Sequence, residues 1–145
     1  MGTARLSTRW TAILVAIGFS ISFVSYAGVS VIVHPQNTNA LSEEDISRIF
    51  LGKRKSFPDG SEAIPIDQVE GSPARTSFVG SVLKKSDQQI KAYWAQLLFT
   101  GKGTPPTIID EASDVKKLIA DNPNLIGYID SAQVDDTVKV VGEFN

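Results

Sequence analysis

Residues Gly71-Ser72-Pro73-Ala74-Arg75 join types and an order that can hold an anion. A serine followed by proline marks a helix start, with the serine as cap and the proline at the first helical position. Such a start presents backbone N–H groups with no partner inside the helix, and the helix dipole adds positive character there. The candidate donors are the backbone at Gly71, Ser72 and Ala74, the Ser72 hydroxyl and the Arg75 guanidinium. Arg75 is informative because a cation in a first turn opposes the dipole. Something negative must compensate it, either a bound anion or a carboxylate such as Glu70. The same residues also make a plain capped helix with an Arg75–Glu70 pair, and spacing alone favours that reading because capping serines are common.

No other constellation supports a reaction. The chain has no cysteine, which removes thiol catalysis, iron–sulfur clusters and zinc–thiolate sites. His34 is the sole histidine and stands before Pro35, where it reads as a strand-end residue. A serine nucleophile therefore lacks an obvious base, and neither a G-x-S-x-G elbow nor a Walker loop occurs. The 16 carboxylates are scattered, with Glu43-Glu44-Asp45 reading as a helix start and Asp135-Asp136 as a turn. The expectation is a non-enzyme with no catalytic residue, no metal and no cofactor. A net charge of −2 argues against nucleic-acid binding, which needs clustered Lys and Arg. The one dense basic run is Lys53-Arg54-Lys55, and such loop residues are usually solvated.

The elements that must position the loop begin after a leader. Arg5 and Arg9 precede an apolar run from Trp10 to Phe23, and Ser25-Tyr26-Ala27 places small residues at the two positions that a signal peptidase reads. Residues 1–27 are expected to be a signal peptide cleaved after Ala27, placing the protein in the periplasm. The competing reading is an uncleaved anchor in the inner membrane, which the serines and glycines of the stretch disfavour. Cleavage removes two positive charges and leaves residues 28–145 more acidic, without a disulfide to staple them.

Val29 to His34 predicts a strand, and Ser42 caps a helix ended by Gly52. A loop over Lys53 to Gly60 folds Phe57 against the body, and Ala63 to Ile66 is a short strand at a sheet edge or with the proline at its start. The helix opened by Ser72 runs to about Leu83. The next, capped at Ser86 or Asp87, carries Ile90, Tyr93, Trp94, Leu97 and Leu98 as one apolar stripe. Gly101 to Pro106 is a loop, and a helix over about Glu111 to Ala120 turns Val115, Leu118 and Ile119 inward. Leu125 to Ile129 and Thr137 to Val141 are the closing strands. This alternation predicts an α/β fold, a mixed sheet with helices on both faces.

An ordered series of short motifs carries a resemblance. It comprises Leu41-Ser42, Ile46, Ile49-Phe50-Leu51-Gly52-Lys53, Pro58-Asp59-Gly60, Ile64-Pro65-Ile66-Asp67, Gly71-Ser72-Pro73-Ala74-Arg75 with Phe78, and Pro123-Asn124-Leu125-Ile126-Gly127-Tyr128. The series resembles the substrate-binding proteins of phosphate ABC importers, in the type II periplasmic-binding superfamily. Tyr93-Trp94, Phe99, Gly101, Gly103 and Pro105-Pro106 are similar to a short, single-lobe branch of that group. The resemblance implies residues 28–145 as one lobe of that fold and phosphate or a similar oxyanion as ligand. It implies an ABC permease or another envelope protein as partner, and a homodimer would restore the cleft that a lone lobe lacks. In the family the anion loop usually reads Ser-Gly-Thr with an arginine nearby. Here Pro73 stands for the glycine, Ala74 for the threonine, and Gln68 near the place of an upstream arginine. Those departures also support an alternative function, an interaction module that keeps the fold with a degraded anion site.

Overall fold

The computed structural model describes residues 28–145 together with Gly2, so the expected leader and its cleavage site otherwise lie outside the described residues. The elements follow in the order β1 (Val29–Val33), α1 (Glu43–Phe50), β2 (Ile64–Gln68), α2 (Pro73–Ser81), α3 (Asp87–Phe99), β3 (Thr107–Ile109), α4 (Ala112–Asp121), β4 (Leu125–Asp130) and β5 (Lys139–Phe144). One sheet contains all the strands in the order β3-β2-β4-β1-β5. β2 runs parallel to β3 and β4, whereas β1 is antiparallel to both its neighbours. The fold is α/β with a mixed sheet, as expected.

Strand alternation divides the apolar residues between two faces. Val29, Val31 and Val33 of β1 and Ile126 and Tyr128 of β4 join the core beneath α1, α2 and α3. Ile32 and Ile129 point the other way, into a smaller core with Ile66, Val115 and Ile119 beneath α4. In the larger core the Phe78 and Tyr128 rings stack with centroids 4.1 Å apart, and Phe50 lies 4.6 Å from Phe78. Phe57 is buried there although it comes from a loop, as expected.

Local signals explain most boundaries. Ser42 and Asp45 form a reciprocal capping box on α1, and Ser86 and Gln89 do the same on α3. Gly52, at φ +70°, follows the end of α1 in a conformation that favours glycine. β2 is an interior strand, and Pro65 is tolerated because it stands near the strand start. Ile64 donates to Asn124 on the β4 side, so by alternation the missing N–H of Pro65 faces β3, whose pairing begins only at Ile66.

Three details differ from the sequence expectation. β3 is a strand of three residues that no periodicity could reveal. β5 begins at Lys139 and continues to Phe144, because a turn at Asp135–Thr137 holds the preceding residues. Leu98 is 51% exposed and Leu118 is 36% exposed, since each sits on the flank of its helix rather than beneath it. Apart from these, α4 has no side-chain cap, because Glu111 occupies the position that Ser or Asp would serve better.

Gly127 sets how closely α4 approaches the sheet. A Cβ there would stand 2.8 Å from Ile119 Cδ1, 3.0 Å from Ile66 Cγ1 and 3.2 Å from Val115 Cγ1. Gly127→Ala is expected to destabilise the protein by about 1–3 kcal/mol through overpacking, read from the denaturant midpoint. Shortening Ile119 to valine in the same chain should recover part of the loss.

Candidate functional site

The parallel strands β2, β3 and β4 open their carboxyl ends on one side of the sheet, where α/β sheets place ligands. At the end of β2 the chain turns through Val69–Ser72, with Gly71 at φ +89° and the Ser72 amide donating to the Val69 carbonyl at 3.2 Å. Ser72 then caps α2. Its Oγ accepts from the Arg75 amide at 3.2 Å and donates to Gln68 Oε1 at 3.0 Å. Pro73 has no N–H to offer. Among the described residues no protein acceptor takes the Ala74 amide. Gly71, Ser72 and Ala74 therefore meet at one loop–helix junction.

The Arg75 side chain is buried, the residue being only 6% exposed, and its charge is already paired. Its Nη1 donates to Asp87 Oδ1 at 2.6 Å, and its Nε lies 3.5 Å from Asp67 Oδ2. The compensating carboxylates are thus Asp67 and Asp87. Glu70, the sequence candidate, pairs instead with Lys91 at 2.7 Å. Asp67 belongs to β2 and Asp87 opens α3, so one guanidinium ties α2 to both.

A second layer of polar contacts lies behind this pair. The Tyr128 hydroxyl donates to Asp67 Oδ1, and the Gln68 amide donates to the same oxygen at 2.8 Å. Gln68 Nε2 reaches the Tyr128 carbonyl at 2.7 Å, which fixes the side chain that receives the Ser72 hydroxyl. Burial, then the negative charge of Asp67, push the Tyr128 phenol well above the ordinary tyrosine range. Sequence reasoning missed Asp67, Asp87 and Tyr128 as members of this network. The only signal was Arg75 itself, whose unfavourable place in a first turn demanded a counter-charge. His34 accepts from the Gln36 amide at 3.1 Å and closes a turn after β1.

The arrangement offers neutral donors at the junction and a neutralised cation behind it. Among the described residues no group of three or more His, Asp or Glu could hold a metal ion. No family model matches the chain, and no curated protein does. Solved structures do match. One is a crystal structure with bound phosphate, from Clostridium perfringens, of a protein named as a phosphate ABC transporter substrate-binding protein. It is 24% identical at a TM-score of 0.63, over 79% of this chain and 44% of that one. An ABC-type phosphate transport receptor from Vibrio cholerae is 18% identical at a TM-score of 0.62, over 79% and 45%. PstS from Borrelia burgdorferi is 14% identical at 0.58, over 79% and 47%.

The fold is that of one lobe of a phosphate-type substrate-binding protein. The chain spans less than half the length of these structures. Within the lobe, the Arg75 network is the most demanding element, because removing one partner strands buried charge. Arg75→Ala is expected to destabilise the lobe by about 3–5 kcal/mol in chemical denaturation, with Arg75→Lys intermediate. Tyr128 adds a pH dependence. Its folded value is raised, so its contribution is complete below the unfolded value of about 10 and is lost as the pH rises beyond it. Tyrosinate absorbance for Tyr128 should therefore develop only with unfolding, and Tyr128→Phe should flatten the alkaline loss of stability.

Proposed function

We propose that this chain is an exported lobe that takes phosphate or a similar oxyanion at the start of α2, and that it binds weakly on its own. The observation that carries this reading is the cap of α2. The Ala74 amide and the Ser72 hydroxyl sit together at the carboxyl end of β2, in a fold shared with a phosphate-bound structure. Gly71 lets the backbone turn into the helix, and Arg75 acts from behind by holding the loop rather than by touching the anion.

Magnitudes set the affinity. A hydrogen bond to a charged group is worth about 1.5–3 kcal/mol. Two such bonds, from Ala74 and Ser72, barely exceed the association cost of about 4 kcal/mol or more. Turning the Ser72 hydroxyl toward the anion also releases Gln68 Oε1 from its bond, and Gln68 is only 3% exposed. Binding weaker than millimolar follows, because a millimolar affinity would need a net of about 4 kcal/mol. A second lobe, from an identical chain or an envelope partner such as a permease, would add donors and exclude water.

One observation favours a second reading, an interaction module built on the same fold. Val69 is 42% exposed beside the loop, and Leu98, Phe99 and Ile108 are exposed by 51%, 92% and 57% at the end of α3 and on the edge strand β3. On this reading the apolar rim meets a protein and the loop serves as scaffold.

Calorimetric titration of the full chain with phosphate, sulfate and chloride separates the two. The first reading expects saturable phosphate binding weaker than millimolar, weakened further by Ser72→Ala, a substitution costing only about 1 kcal/mol of stability. Silence from every anion, together with a crosslinked envelope partner lost in Leu98→Ser/Phe99→Ser, establishes the second. Export is tested by mass spectrometry of the protein recovered from the cell envelope, which should begin at Gly28.

A further inference from the structure

A cavity of about 460 Å³ lies between the segment after α1, the segment after α3 and one side of α3 itself. That volume falls within the range of small-molecule sites, and the cavity includes none of Gly71, Ser72, Ala74 or Arg75. Tyr93, Trp94 and Leu97 line its apolar side, and the two rings meet edge to face with centroids 5.1 Å apart. The Tyr93 hydroxyl donates to the Leu51 carbonyl at 2.6 Å, which fixes the ring. Gly52 lets the segment after α1 lie close to α3, since a Cβ there would stand 3.1 Å from Trp94 Cη2.

The charged part of the lining is cationic. Lys53, Lys55 and Lys102 border the cavity, and no Asp or Glu does. None of these lysines forms an ion pair among the described residues, whereas Arg54 between them is held by Asp45 at 2.6 Å. In a chain of net charge −2 this is a local concentration of unneutralised positive charge. Helix dipoles account for part of it, since Lys53 follows α1 and Lys102 follows α3. They do not account for Lys55, nor for the convergence of all three on one pocket with aromatic walls.

We propose that this cavity binds a small organic polyanion. Two or more carboxylate or phosphate groups face Lys53, Lys55 and Lys102, and a ring or short hydrocarbon part lies against Tyr93, Trp94 and Leu97. Lysines act as mobile point charges without the fixed fork of arginine, so the pocket selects charge number and an apolar body more than one anion geometry. The site is independent of the α2 cap, and either can fail without the other.

The probes are benzene-1,3,5-tricarboxylate, citrate and benzoate, titrated into the full chain by calorimetry. Because Trp10 is also present, residue-resolved amide and indole spectra report the location. The tricarboxylate is expected to bind at least about tenfold more tightly than citrate, which lacks the ring, or benzoate, which lacks the charges. Rising salt should weaken it, and the signals of Gly52, Gly103 and the Trp94 indole should move. The three lysines are exposed, so Lys53→Gln/Lys55→Gln/Lys102→Gln should fold normally and lose binding about tenfold or more, while the triple change to arginine keeps it. Ser72→Ala should leave it unchanged. Absence of saturable binding, equal affinity for citrate, persistence in the glutamine variant, or shifts confined to the α2 cap would each overturn the proposal.

Discussion

The buried guanidinium of Arg75 is the constraint on which the site side of the sheet depends. It reaches Asp67 on β2 and Asp87 at the start of α3, while its own backbone belongs to the first turn of α2. Three elements with no covalent reason to meet are thereby held at one point. Desolvating the charge is expensive, and the arrangement is tenable only because each carboxylate has further partners. Asp67 receives the Tyr128 hydroxyl and the Gln68 amide, and Asp87 sits where a helix dipole welcomes negative charge. Among the described residues no buried side-chain nitrogen or oxygen lacks a hydrogen-bond partner.

The same network decides what the junction above it can do. A cation already matched by two carboxylates contributes little long-range attraction to an incoming anion. On the proposed anion-binding reading, selectivity at the α2 cap comes from the placement of neutral donors, which distinguishes shapes better than it gathers charge. The lysine-bordered cavity shows the opposite allocation. There the carboxylates are absent and the charge faces solvent, while the Tyr93 hydroxyl, already bonded to Leu51, is unavailable to steer a ligand.

How much of this was legible in the sequence depends on the range of the interaction. Capping boxes at Ser42 and Ser86, the proline after Ser72 and the glycine after Leu51 act within a few residues, and they marked helix boundaries well. Alternation in β1 and the stripe through Ile90 and Trp94 located the core. β3 escaped because three residues cannot show a period, and Leu98 misled because a residue two turns along a helix drifts to its flank. At the site, Gly71, Ser72 and Ala74 were readable as a local motif. The partners of Arg75 were not, since Asp67 and Asp87 lie 8 and 12 residues away and only the tertiary fold brings them together. The lysine pocket was divided in sequence between Lys53, Lys55 and Lys102, and no spacing rule joins those positions.

The pairing of β1 with β5 has a topological consequence. Val29 stands opposite Phe144 at the same end of the sheet, and a side chain on Gly28 would touch Asn145. The start and finish of the described lobe are therefore neighbours in space. A module of this kind can be spliced into a host polypeptide through two adjacent crossings without stretching either. By the same geometry, a short bridge between its ends would close the lobe into a ring, which could then be opened at an exposed loop tip instead.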